Sequence, residues 1–468
     1  MSSVTSETPA EQLQSILDRV DRIGDFDHFP GVDELVGSFD ALVEKYPELI
    51  SRRRIGTSRL GEPLWMYSVG AGSASALIYA GVHPNEPIGF CTVLQLATEL
   101  CTDPEFAASS GCRWHLVPDI DPDGTRLNEG WYDGPFDRVF YARHFYRPAP
   151  AEQVEWSFPL AYKDAYFDQV IPETFALMRV MDEIRPDLAV ALHNGELGGV
   201  YYYLSRNIDG AVEALHAIAA HAGLPLDRGE PESPVVDRYG PAVFETISTE
   251  REYDHRERLG LSRPEDGSGG SSADYAARHG TLSLVAELPY WTHPAADDQS
   301  LTDHRYADLL RAAGDELDRD MQRLAGILDR ANPHLSKDSQ LVRASRAFVP
   351  SLVVAAEAER RRAGREDPQR LATVAEAFSL TDRNRCFRLR YGGMLLRAVE
   401  AEAARGAAPA SLHRLSRELG DLYLSWQREA AEHAADLEQL PIRKLVGVQY
   451  AATLALLAAL RIESGAGS

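Results

Sequence analysis

Two hydrophobic periods run along this chain, and the places where one gives way to the other mark its organisation. Leu13, Ile16, Leu17, Val20 and Ile23 recur at helical spacing, which predicts an amphipathic helix over residues 10–24. Asp25 to Gly31 breaks that pattern. Leu35, Phe39, Leu42, Val43 and Tyr46 then predict a second helix. From about Arg53 to Leu288, short apolar runs alternate with helical stretches, the pattern of an α/β sheet domain. From about Asp303 onward the pattern is helical with no strands. Leu412, Leu415, Leu419, Leu422 and Trp426 fall on one face there. The chain therefore divides into an N-terminal helical extension (1–30), an α/β domain (31–330) and a helical C-terminal region (331–468).

Two stretches stand apart from the periodic segments. Ala149 to Phe158 reads as an inserted loop, and residues 225–272 are rich in Pro, Gly and charge. Loops that long in a compact domain are usually functional or disordered. Leu445 to Leu460 is the most apolar run, yet it is short for a membrane span of about 20 residues and contains Gln449 and Thr453. It reads as a buried or partner-facing helix. Asp119 to Gly124 resembles the start of a calcium loop, but Gly130 stands where the closing glutamate belongs, so a turn is expected. In Tyr201-Tyr202-Tyr203, alternate rings face opposite sides of a strand, and one of them is a candidate for the wall of a pocket.

Composition narrows the class. The 468 residues are 44% hydrophobic, enough for a large core, and carry 48 Lys plus Arg against 71 Asp plus Glu, a net charge of −23. Such a chain repels phosphate backbones, so no nucleic-acid partner is expected. A polybasic membrane anchor is disfavoured for the same reason. Met1 to Pro9 lacks the features of a secretory signal. Cys91, Cys101, Cys112 and Cys386 have no framework spacing, which fits free thiols and a cytoplasmic location.

The chemistry sits where apolar runs stop. Ala76 to Val82 ends at His83, and Glu86 follows three residues on, just before a helical pattern that begins at Pro87. Asp187 to Leu192 ends at His193, and Thr281 to Ala286 ends at Glu287. Each residue alone reads blandly, as a strand-capping histidine or a salt-bridged acid. Together they place two imidazoles and two carboxylates at strand ends, where open α/β sheets bind ligands. Three such ligands with an open fourth position make the catalytic rather than the structural zinc pattern.

Over roughly residues 30–300 the chain resembles the zinc carboxypeptidase family. The segments Tyr46-Pro47-Glu48-Leu49-Ile50, Ile55-Gly56-Thr57-Ser58, Gly61-Glu62-Pro63-Leu64, Gly81-Val82-His83-Pro84-Asn85-Glu86-Pro87 and Asp121-Pro122-Asp123-Gly124 appear in the family's order. His193, Gly269-Gly270-Ser271-Ser272-Ala273-Asp274-Tyr275 and Glu287-Leu288 complete the set. The resemblance implies a mixed, mostly parallel, doubly wound sheet with helices on both faces, followed by an all-α extension. It implies one Zn2+ per chain on His83, Glu86 and His193, with Glu287 as general base. Arg126 best matches the family's carbonyl-polarising arginine, with Arg138 as the fallback. Arg143 matches the arginine that grips a substrate carboxylate, His144 adjoins it, and Ala273 stands at the family's pocket position. Ala142 replaces the usual asparagine beside Arg143, and the family's tyrosine upstream of the glutamate has no match near Pro264 and Glu265. A metallocarboxypeptidase acting on a peptide or a peptide-like small amide is the leading expectation. An amidase or deacylase on a small N-acyl amino acid is the first alternative, and an inactive binding scaffold the second. The C-terminal helices are expected to pack on the catalytic domain or to join copies of the chain.

Overall fold

The computed structural model describes residues 8–261, 268–463 and 465. One sheet holds the strands β1 (Ile50–Thr57), β2 (Pro63–Val69), β3 (Ala74–Tyr79), β4 (Cys112–Val117), β5 (Leu188–His193), β6 (Tyr201–Leu204), β7 (Arg238–Gly240), β8 (Val243–Glu245) and β9 (Leu282–Glu287). Their order is β1-β2-β4-β3-β5-β9-β6-β8-β7. The central strands β4, β3, β5 and β9 are parallel, as is β6 with β8; β1–β2, β2–β4, β9–β6 and β8–β7 pair antiparallel. The sheet is mixed and doubly wound, with its parallel pairs gathered in the middle. Strand β5, Leu-Ala-Val-Ala-Leu-His, is buried along its whole length, as a parallel strand covered on both faces must be.

Side-chain alternation divides the core into two layers. Ile78, Leu116, Val190, Leu192 and Leu284 face α1 (Pro9–Val20), α2 (Val32–Lys45) and α3 (Ile88–Thr102). Leu77, Tyr79, Ala189 and Ala191 face the other way, toward Leu177 and Met181 of α4 (Pro172–Ile184). Helix α5 (Ala211–His221) joins the first layer and α6 (Ser272–Ala277) the second.

The C-terminal region differs from its expected form in three ways. First, α7 (Tyr306–Ala331), α8 (Gln340–Ala363), α9 (Val374–Ala403) and α10 (Ala410–Glu432) pack on one another, so this helical unit begins at Tyr306 and not at residue 331. Second, the segment is not free of strands. Leu301–Arg305 pairs with Leu371–Thr373, and Trp291–Thr292 pairs with Glu438–Gln439. Third, α11 (Ile442–Glu463) leaves the helical unit and packs against α3, α5 and α1. It is long and apolar enough to cross a membrane by length and composition, and most of it is buried here. Residues 331–468 are therefore not one appendage, because their last helix completes a layer of the sheet domain. The expected turn at Asp119 to Gly124 is present. Asp121 caps a short helix, Pro122–Arg126, by accepting from Gly124 N at 3.1 Å.

Candidate metal centre

Strand β3 runs out at Tyr79, and the chain turns through Ala80-Gly81-Val82 to deliver His83. Gly81 has φ +76°, and a Cβ there would lie 2.2 Å from Asp119 Oδ1, so no other residue fits the turn. Glu86 N donates to His83 O at 3.0 Å, which closes a turn that folds the glutamate back beside the imidazole. Strand β5 pairs with both β3 and β9, and it places His193 at the same edge, with Glu287 directly across from it in register.

The three expected ligands meet. Glu86 Oε1 lies 3.1 Å from His83 Nδ1, Glu86 Oε2 lies 3.1 Å from His193 Nδ1, and the two imidazole centroids are 4.8 Å apart. One ligand atom from each of the three residues lies within 4.8 Å of the others. All three side chains are buried. His83 Nε2 and both ring nitrogens of His193 are buried with no hydrogen-bond partner among the described residues. Orphaned buried nitrogens are costly unless something else takes their lone pairs. Two imidazoles and a carboxylate aimed at one point fit a Zn2+ ion.

Electrostatics treat the two histidines in opposite ways. Burial, then the Arg147 guanidinium, push His83 down to about 4, so its ring is neutral and its lone pair available. Burial opposes charge on His193, but contact with Glu86 and the charges of Glu86, Glu287 and Glu155 outweigh it and carry it up to about 9. Glu287 Oε1 lies 3.6 Å from His193 Nδ1. Burial, and then the Glu232 carboxylate, raise Glu287 well above the usual carboxylate range. It is a carboxyl group with a raised affinity for a proton, held beside the candidate ligands.

The ligands open into a cavity of about 460 Å³. Ala273, at the start of α6, lines it as expected, and so do Tyr201 and Tyr203, while Tyr202 points into the core. The other expected residues do not reach it. Arg126 lies toward the surface, where Nε bonds Glu62 at 2.6 Å and Nη2 bonds Asp33 at 2.8 Å. Arg138 is buried, bonded to Glu196 and clamped bidentately by Asp382 at 2.6 and 2.7 Å. Arg143 bonds Glu400 at 2.5 Å, and His144 turns back to Phe140 O at 2.8 Å. The reason is α9. It docks on the helix Arg138–His144, and its Asp382 and Glu400 take the two arginines. Pro264 and Glu265 lie outside the described residues.

Several residues in and around the cavity were not foreseen. Arg147 bonds Glu86 Oε1, and its Nε donates to Asn85 Oδ1 at 3.0 Å. It lies four residues beyond Arg143, past the end of the helix Arg138–His144, so nearness in sequence did not separate the two. Glu155 accepts from Ser272 Oγ at 2.8 Å in the cavity wall. Gln449 of α11 donates to His193 O at 2.8 Å and accepts from Thr92 Oγ1 at 2.7 Å, which pins the ligand's backbone from below. One wall belongs to α9, with Phe378, Asp382, Arg383, Phe387, Arg390 and Tyr391.

The family model of the zinc carboxypeptidases matches residues 35–290, more than half of the chain and the whole metal centre. The chain belongs to the zinc carboxypeptidase family. Mouse carboxypeptidase A4 is 28% identical over 109 residues, 20% of this chain and 26% of that protein. The match thus spans about a quarter of the relative's length. Carboxypeptidase A from Helicoverpa armigera is 16% identical with a TM-score of 0.37, covering 60% of this chain and 71% of that one. A metallo-carboxypeptidase from Burkholderia cenocepacia is 16% identical with a TM-score of 0.34, covering 55% and 60%. The zinc carboxypeptidase match ends near β9, so α7 to α11 lie outside it.

Proposed function

We propose that this chain is a zinc-dependent hydrolase that cleaves the C-terminal amide bond of a short peptide or peptide-like substrate. The observation that carries the reading is the convergence of His83, Glu86 and His193, with unpartnered ring nitrogens, beside the buried Glu287. A Zn2+ held by those three residues supplies a Lewis acid that polarises the scissile carbonyl and acidifies a water. Glu287 takes a proton from the attacking water and returns it to the departing amine. The raised affinity of Glu287 for a proton suits both halves of that transfer. Arg147, beside Glu86, is placed to donate to the carbonyl oxygen as negative charge grows there. It replaces Arg126 and Arg138 in that role.

A second reading has its own support. With Arg138 and Arg143 engaged by α9, the segment expected to grip a terminal carboxylate is closed. An amidase on a small N-acyl amino acid fits such a cavity.

Metal content and a substrate panel test the proposal. The wild type should hold one zinc per chain, and His83→Ala should hold none. Glu287→Gln should keep its zinc and lose about 10²–10⁴-fold in turnover. Blocked dipeptides and their C-terminal amides, followed by mass spectrometry, separate the readings. Cleavage of acids over amides supports a carboxypeptidase, and equal cleavage supports the amidase. Equal zinc in wild type and His83→Ala would remove the metal centre from the account.

A further inference from the structure

We propose that α9 is the substrate-recognition wall of this centre and that Arg390 on it binds a carboxylate of the substrate. The inference deepens the hydrolase reading and rests on it. It starts from an exchange of charges between α9 and the sheet domain. Asp382 and Glu400 engage Arg138 and Arg143, two of the three arginines expected to meet substrate. In return, α9 turns arginines of its own into the cavity. Residues 379, 383, 386 and 390 recur at spacings of three and four, so one helical face looks toward the metal ligands.

Three arginines line the cavity, and their surroundings separate them. Arg147 is tied to Glu86 and Asn85 beside the metal ligands. Arg383 pairs with Glu359 at 3.2 Å and keeps a quarter of its side chain exposed. Arg390 is 9% exposed, and its Nε lies 2.5 Å from Glu196 Oε2. Its two terminal nitrogens have no hydrogen-bond partner among the described residues. The guanidinium carbon lies 5.0 Å from the Phe145 ring centroid and 5.5 Å from that of Tyr141. The guanidinium is thus ion-paired at Nε without a hydrogen bond there, its faces lie near aromatic rings, and its far edge offers parallel donors to a carboxylate.

The anchor is also in the right place. Glu196 follows His193 by three residues at the end of β5, so the same strand end that presents a metal ligand also holds Arg390. Glu196 is already satisfied by Arg138 and by Cys386 Sγ at 3.2 Å. Against the opposing effect of burial, Arg390 adds the largest charge effect that holds the Glu196 carboxylate below its usual range, but makes no hydrogen bond to it at Nε. The metal ligands and Arg390 line the same cavity, whose volume of about 460 Å³ is that of a small-ligand site.

The test uses the full chain loaded with zinc. Wild type, Arg390→Met and Arg390→Lys are compared on benzoylglycyl dipeptides with aromatic, aliphatic, acidic and basic final residues, and on the C-terminal amide of each. Arg390→Met should raise KM for the best acid about tenfold or more, with kcat and zinc content little changed. KM for the amide should not move. Arg390→Lys keeps the charge but not the paired donors, and should fall between. A binding arm uses Glu287→Gln, which suppresses turnover, and titrates the same acids and amides by calorimetry with and without Arg390→Met. If wild type cleaves nothing while Glu287→Gln binds acids through Arg390, the hydrolase reading falls and the anchor stands. Equal effects on acid and amide overturn the anchor, as does no effect on either, or no binding of any acid. If Arg390→Met fails to fold, the acid-to-amide ratio of Arg390→Lys decides alone.

Discussion

At the scale of single residues, the side chain with the widest structural reach is Gln449. It satisfies the carbonyl of a metal ligand with one end of its amide and Thr92 with the other. Gln449→Leu removes the side-chain donor to His193 O at a cost of about 1–3 kcal/mol, while Thr92 keeps its bond to Ile88 O at 3.1 Å. Chemical denaturation should show a loss in that range, and zinc titration should show weaker binding. His115 on β4 gives a second prediction. Burial, then Arg113 and Arg53, hold it down to about 4, and Ser68 Oγ lies 2.9 Å from its Nδ1. Its unfolded value is about 6.5. The folded state resists the proton that the unfolded chain accepts, so its stabilisation is full above about 6.5 and is lost as pH falls toward 4. Denaturation midpoints at pH 7.5 and pH 5 should differ more for wild type than for His115→Gln. The residues that proved legible from sequence were His83, His193 and Glu287, because each ends an apolar run, and Glu86, because it follows His83 by three residues across a turn. The arginines were not legible. Their partners, Asp33, Glu62, Asp382 and Glu400, are remote in sequence, and an arginine's reach says nothing of which acid will hold it.

At the scale of elements, periodicity identified the helices but not the surfaces they cover. A helical repeat reports that one face is apolar, while the choice of partner is a matter of topology. The run from Leu445 to Leu460 was readable as a buried helix, yet nothing in it announced α3 and α5 as its neighbours. The strand Leu301–Arg305 escaped notice because Thr302, Asp303, His304 and Arg305 show no alternation and the segment is mostly exposed. The position of α11 leads to a clear expectation. A chain ending near Pro441 uncovers Leu445-facing surface on α3 and α5 and removes the bond to His193 O. It should be insoluble or, if recovered, should bind no zinc, as judged by size-exclusion chromatography and metal analysis. A soluble, zinc-loaded product would show that α11 is dispensable to the centre.

At the scale of the whole molecule, the α/β core and its C-terminal helices are one machine built from distant parts of the sequence. The metal ligands and Glu287 come from residues 83 to 287, the floor beneath His193 from α11 and one wall of the cavity from α9. The sheet's class was legible because its strands and helices alternate so plainly. The shared cavity was not, because no local pattern records which helix will close over a strand edge. That division has an evolutionary consequence. On the proposed function, the groups that would break a bond and the wall that α9 adds to the cavity lie on separate stretches of the gene. If the proposals hold, changes along one face of α9 would redirect the chain to new molecules while His83, Glu86 and His193 stay untouched, so diversification would have a route that does not pass through loss of catalysis.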